Sequence, residues 1–184
     1  MPEHVCPWWL GYFLASPVRR LFCSPPEILA PYVREGMVVL EPGPGMGFFT
    51  LDLARMVGAS GRVIAVDLQP KMLDGLRRRA AKAGLLPRVD IRLAQASSMG
   101  LSDLSGAVDF ALAFAVVHEV PSAATFFAEI AEALKAGARL LLVEPAGRVK
   151  NAQFEAELTL AARAGLKLES LPAIARSHAA LLSK

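Results

Sequence analysis

The sequence predicts an α/β protein, a doubly wound and mostly parallel sheet preceded by an N-terminal helical extension. Three observations carry this prediction. Five short apolar runs, at 37–40, 62–66, 89–93, 110–114 and 140–143, recur along the chain with amphipathic helical patterns between them. Most of the helical patterns end at a glycine, as helices do when the chain turns left-handed past the last turn. A glycine-rich stretch directly follows the first run, where such sheets bind ligands. The length of 184 residues suits one domain with a short appendage: an extension over 1–35 and the main domain over 36–184.

The elements follow in order. Met37-Val38-Val39-Leu40 is continuous and apolar, as a strand covered on both faces is. Phe49, Leu53, Met56 and Val57 form the stripe of the next helix, and Gly58 stops it. Arg62 to Val66 is the second strand. Pro70 opens a helix with Leu73, Leu76 and Ala80 inward, closed by Gly84. Val89-Asp90-Ile91-Arg92-Leu93 alternates, which suits a strand near an edge. After the strand at 110–114, Ser122 can cap a helix carrying Phe126, Phe127, Ile130 and Leu134, with Gly137 as its expected stop. The strand at 140–143 precedes a helix with Phe154, Leu158 and Ala161 inward, and Gly165 ends it. Residues 166–184 read as two short strands around Pro172.

Composition narrows the function. Hydrophobic residues at 54% and charged residues at 20% exclude a disordered chain. The net charge of +3 does not by itself call for nucleic acid. Cys6 and Cys23 cannot build a disulfide framework and fit a reducing, cytoplasmic compartment. The apolar stretch 5–18 falls short of the ~20 residues that span a bilayer, and it lacks a basic segment before it. His4, Cys6, Cys23, His118 and His178 have no metal-ligand spacing, so no metal site is expected.

The chemistry concentrates at Glu41-Pro42-Gly43-Pro44-Gly45-Met46-Gly47. Gly43, Gly45 and Gly47 allow a tight turn and close approach of a ligand to backbone. Asp67, at the end of the next strand, can accept hydrogen bonds from both hydroxyls of a ribose. A dinucleotide loop wants a glycine at 48, where this chain has Phe48. Glu41, ending the first strand, suits a ligand with a cationic amine. The residues alone therefore read as a site for a nucleoside with a cationic amino-acid arm. A tight turn with a surface aspartate is the plainer alternative.

Residues 38–47, Val63-Ile64-Ala65-Val66-Asp67, 110–120 and 134–144 resemble, in order, the motifs of class I S-adenosylmethionine-dependent methyltransferases. The likeness covers about 30–184 and is closest to the small-molecule branch with the ubiquinone and menaquinone methyltransferases. It implies a Rossmann-like methyltransferase sheet that binds S-adenosylmethionine and releases S-adenosylhomocysteine. It further implies that Gly43, Gly45 and Gly47 lie against the methionine arm and that Glu41 faces its amino group. Asp67 then holds the ribose, Leu68 packs on adenine, and Phe114 and Ala115 line the methionine pocket. At the end of the third strand the family often places an acid against the adenine amine; this chain has Gln95, followed by Ala96.

Rival readings are weaker. No Asn- or Asp-Pro-Pro-aromatic segment of amino-group DNA methyltransferases follows the fourth strand, which continues as Ala115-Val116-Val117-His118-Glu119. Neither cysteine sits where a cytosine-C5 nucleophile would, and arsenic methyltransferases use more cysteines than two. Arg77-Arg78-Arg79 with Lys82 reads as a solvated helix face in preference to a nucleic-acid patch. The expected activity is methyl transfer to a small, apolar or aromatic acceptor. The alternatives are a non-catalytic S-adenosylmethionine-binding module and, less favoured, a nicotinamide-dependent oxidoreductase. His118 is the candidate general base for an acceptor that holds a proton, against a purely structural role before Pro121.

Trp8, Tyr12, Ala15 and Arg19, flanked by Trp9, Phe13 and Ser16, form an aromatic helical pattern that breaks at Pro17. It reads as a cover for the acceptor, as fixed core, or as a membrane-surface contact through 5–22 aided by Arg19 and Arg20.

Overall fold

The computed structural model describes residues 7–9, 11 and 23–184. The predicted aromatic helix at 8–19 falls mostly outside these residues. Seven strands form one sheet in the order β3-β2-β1-β4-β5-β7-β6. The described residues divide into two compact units, one ending at residue 94 and one of residues 95–184.

The first unit holds α1 (Pro25–Leu29), β1 (Val38–Pro42), α2 (Thr50–Met56), β2 (Arg62–Asp67), α3 (Pro70–Lys82) and β3 (Val89–Leu93). β1 pairs parallel with β2, and β2 with β3. The carboxyl ends of these strands therefore lie at one edge. Val39, Leu40, Val63, Ile64 and Ala65 have no exposure at all, which is why β1 and β2 read as unbroken apolar runs. β3 stands at the end of the strand order, and only its first residue is buried, in keeping with its alternating sequence. Arg34 closes α1, its Nη1 donating to the carbonyls of Ala30 at 2.7 Å and Val33 at 2.9 Å. Of the basic run on α3, Arg77 pairs with Asp74 at 3.3 Å, and Arg79 donates to the Met46 carbonyl in the glycine-rich loop.

The second unit holds β4 (Val108–Phe114), α4 (Ala123–Ala133), β5 (Leu134–Pro145), α5 (Asn151–Arg163), β6 (Lys167–Ser170) and β7 (Ser177–Ser183). β4 and β5 are parallel, β5 and β7 antiparallel, and β6 pairs antiparallel with β7. Ser122 caps α4, its hydroxyl accepting from the Thr125 amide at 3.2 Å. α4 stops at Ala133, before the expected Gly137. Leu134, read as the last rung of the helical stripe, instead starts β5 opposite Val108. The register then shifts so that Phe110 meets Arg139, and residues 135–137, exposed and with Gly137 at φ 75°, take up the slack. Among the described residues no helix is long and apolar enough to cross a membrane.

Candidate functional site

The first unit builds the glycine-rich loop from backbone outward. The Gly43 amide donates to the Val66 carbonyl at 2.8 Å, tying the loop to the end of β2. The Gly45 amide donates to Asp67 Oδ2 at 3.2 Å, and the Gln69 amide to Asp67 Oδ1 at 2.8 Å. Asp67 thus organises both the loop and the turn into α3. Gly47 has φ 82°, and a Cβ there would lie 2.4 Å from Leu76 Cδ1. Leu76 is fully buried and cannot yield freely. Gly47→Ala is expected to destabilise the protein by about 2–4 kcal/mol, from left-handed strain plus overpacking. Chemical denaturation measures this, and a loss below ~1 kcal/mol would show that the loop adapts. At Gly45 a Cβ would meet nothing within 4 Å, so that side of the loop faces open space.

Glu41 is buried at 4% exposure, and its Oε2 has no hydrogen-bond partner. Burial pushes its carboxyl up to about 8; the nearby Thr50 hydroxyl opposes this, and the Asp67 charge adds to it. Thr50 Oγ1 is also buried without a partner, so the two groups are neighbours without a full hydrogen bond. A buried carboxyl left unsatisfied is costly unless a ligand completes it. A cation is the natural complement, because it would restore the charged form. The orphaned oxygen, the open face at Gly45 and the acceptor at Asp67 fit the amine, the arm and the ribose of S-adenosylmethionine. Leu68 is half-buried beside Asp67.

The second unit carries the other candidates. Gln95 and Ala96 are exposed, in a tight turn where the Gln95 amide donates to the Ser98 carbonyl at 2.9 Å. Phe114 ends β4 and Ala115 follows it, both half-buried, and Ala115 is left-handed at φ 56°. That reversal is followed by a 3-10 turn over Val117–Glu119. Glu144, at the same end of the neighbouring β5, is fully buried. Its Oε1 accepts from the Val116 amide at 3.0 Å and the Val117 amide at 2.8 Å, and its Oε2 meets His118 Nδ1. The hydrogen bond to Glu144 raises the His118 pKa; burial opposes it, the Glu144 and Glu119 charges assist, and Arg148 opposes.

Glu157 of α5 is also buried, with Gln153 Nε2 3.5 Å from its Oε1 and no partner for Oε2. Burial first, then the Glu144 charge, pushes its carboxyl up to about 7, against His118 and Gln153. Sequence reasoning missed both acids. Glu144 ends an apolar strand as Glu41 and Asp67 do, and that signal was there to find it. Glu157 shares the inward stripe of Phe154 and Ala161, where a charge is out of place. Among the described residues no group of three or more acids, histidines or cysteines could hold a metal ion.

A family model described as a methyltransferase domain matches residues 40–142, over half of the chain. The chain belongs to the class I S-adenosylmethionine-dependent methyltransferases, whose cofactor is S-adenosylmethionine. An arsenite methyltransferase of Halobacterium salinarum is 30% identical over 66% of this chain and 30% of its own length. A demethylmenaquinone methyltransferase of Lactococcus lactis is 32% identical over 59% of this chain and 42% of its own. The chain thus spans less than half of these relatives. A solved S-adenosylmethionine-dependent methyltransferase from Aquifex aeolicus superposes with a TM-score of 0.86, covering 97% of this chain and 98% of that one at 23% identity, which shows the shared fold.

Proposed function

We propose that this chain transfers a methyl group from S-adenosylmethionine to a small apolar or aromatic acceptor. The observation that carries the reading is the buried, unpartnered Glu41 oxygen at the head of a glycine loop anchored on Asp67. The demethylmenaquinone and arsenite methyltransferases among its relatives support a small-molecule acceptor. Within this reading Glu41 receives the cofactor's ammonium and Asp67 the ribose hydroxyls. Gly43, Gly45 and Gly47 give the arm room, and Leu68 covers the adenine. Gln95 with Ala96 serves the adenine edge, and Phe114 with Ala115 the methionine side.

The bound cofactor supplies an activated methyl group, so the protein's task is orientation and water exclusion. His118 accepts the proton of an acceptor that holds one.

Calorimetry with S-adenosylhomocysteine and with NAD tests the first step, and binding of NAD alone would refute the reading. A screen with methyl-labelled cofactor against quinols, phenols, thiols, amines and arsenite then finds the acceptor. Two variants divide the roles. Gly45→Ala is expected to fold but to lose at least tenfold in cofactor affinity, since the methyl group occupies the open face. His118→Gln is expected to keep cofactor affinity and slow transfer by about 10²–10⁴. Equal turnover at saturating acceptor, with chemistry rate-limiting, would return His118 to a structural role.

A further inference from the structure

We propose that Glu144 is the positioning residue of the His118 base, fixing the imidazole in the tautomer that leaves Nε2 to accept the proton. The inference rests on the reading of His118 just given. It stands on an arrangement wholly within the second unit.

Glu144 is fully buried, and both of its oxygens are committed to one short segment. Oε1 takes the amides of Val116 and Val117 at 3.0 and 2.8 Å. Those two donors can only donate, so Oε1 must be an acceptor. Oε2 faces His118 Nδ1. An ionised carboxylate only accepts, so Nδ1 must carry a hydrogen. In the neutral ring the lone pair then lies on Nε2.

The left-handed Ala115, whose amide donates to the Val143 carbonyl at 2.7 Å, turns the segment back over the end of β5 and makes this contact possible. Such a conformation is strained in a residue with a Cβ. The four hydrogen bonds around it hold it in place.

The charges facing the ring are Glu144 from β5, Glu119 from its own turn with Oε1 3.7 Å from Nε2, Arg148 after β5, and Glu157 from α5. Glu119 sits where a proton arriving on Nε2 would meet an opposite charge. For an acceptor O–H, the step balances. The O–CH3 bond forms as the S–CH3 bond breaks, the S–C electron pair stays on sulfur, and the acceptor proton passes to Nε2 and on to solvent. Because the carboxylates raise the imidazole pKa, the base form fills only as pH climbs past that raised value.

Glu144→Gln is the discriminating variant, because it keeps shape while reversing one hydrogen bond. Its amide oxygen can still accept from Val116 and Val117. Its NH2 can only donate to Nδ1, which forces the hydrogen onto Nε2 and removes the basic lone pair there. Nitrogen-15 NMR of the full chain, with the His118 signals assigned from His118→Gln, reads both effects. The wild type is expected to show Nδ1–H in the neutral ring. Glu144→Gln is expected to show Nε2–H, with the His118 pKa lowered because the hydrogen bond and charge of the carboxylate that raise it are gone. A general loosening of the fold would not exchange one tautomer for the other. An Nε2–H tautomer in the neutral wild type overturns the proposal without any variant, so it stays testable if Glu144→Gln does not fold. An unchanged tautomer and pKa in a folded Glu144→Gln overturns it too. Calorimetry with S-adenosylhomocysteine on the wild-type sample keeps the two readings apart. Failure to bind would refute the methyltransferase reading and leave the tautomer result standing.

Discussion

Asp67→Ala is expected to weaken S-adenosylhomocysteine binding by about a hundredfold or more. Two losses combine. In the proposed site each ribose hydroxyl would lose a charged acceptor, at ~1.5–3 kcal/mol apiece. The Gly45 and Gln69 amides, at 3.2 and 2.8 Å from the carboxylate, lose the anchor that shapes the loop and the turn after β2. Calorimetry on a variant with a native circular-dichroism spectrum measures the change. An affinity within threefold of wild type would remove Asp67 from the cofactor site.

The second large effect is a fall in stability as pH rises. Glu41 stands at about 8 and Glu157 at about 7 in the folded chain, against 4.5 for a free glutamate. Between these values the folded state holds protons that the unfolded state has released, so stability drops with increasing pH. His118, also raised, acts in the same direction from 6.5 upward. Glu41 is the largest contributor, on the order of 4–5 kcal/mol once the pH exceeds 8. Urea denaturation at pH 5.5, 7.0 and 8.5 is expected to show this slope, and Glu41→Gln to remove its largest single share. A wild type that gains stability from pH 5.5 to 8.5 would contradict the burial argument. The cofactor's ammonium should reverse the effect, because it favours the ionised carboxylate. Binding at pH 6.5 is therefore expected to release a proton, seen as a difference in binding heat between phosphate and Tris buffers.

The parts of this protein legible in its sequence are those governed by short-range rules. Leu40 and Val66 end unbroken apolar runs, and Glu41 and Asp67 follow them, so strand, loop and acid could be read together. Ser122 as a cap and Pro70 as a helix opener depend on only a few neighbours. The end of α4 was not legible, because Leu134 satisfies a helical stripe and a strand equally well. Pairing with Val108 decides between them. The role of Glu144 depends on a contact across 26 residues with His118 and on a left-handed alanine, which no local pattern announces. Glu157 carried a local signal, an acid on an apolar stripe, but its environment comes from groups distant in sequence.

The placement of β7 between β5 and β6 sets an order in time. β6 precedes β7 in the chain, yet it pairs with β7, and all four of its residues are exposed. It therefore has little to hold it until β7 has formed. The β6–β7 pair closes a short loop, whereas β5–β7 pairing must bridge α5 and is entropically slower to find. The C-terminal hairpin should thus nucleate as a unit and dock through β7 onto β5. The Glu144 end of β5 gains its partner, with His178 opposite Glu144, in that late docking event. Hydrogen-exchange pulse labelling during refolding is expected to protect β4 and β5 against each other before β5 is protected against β7.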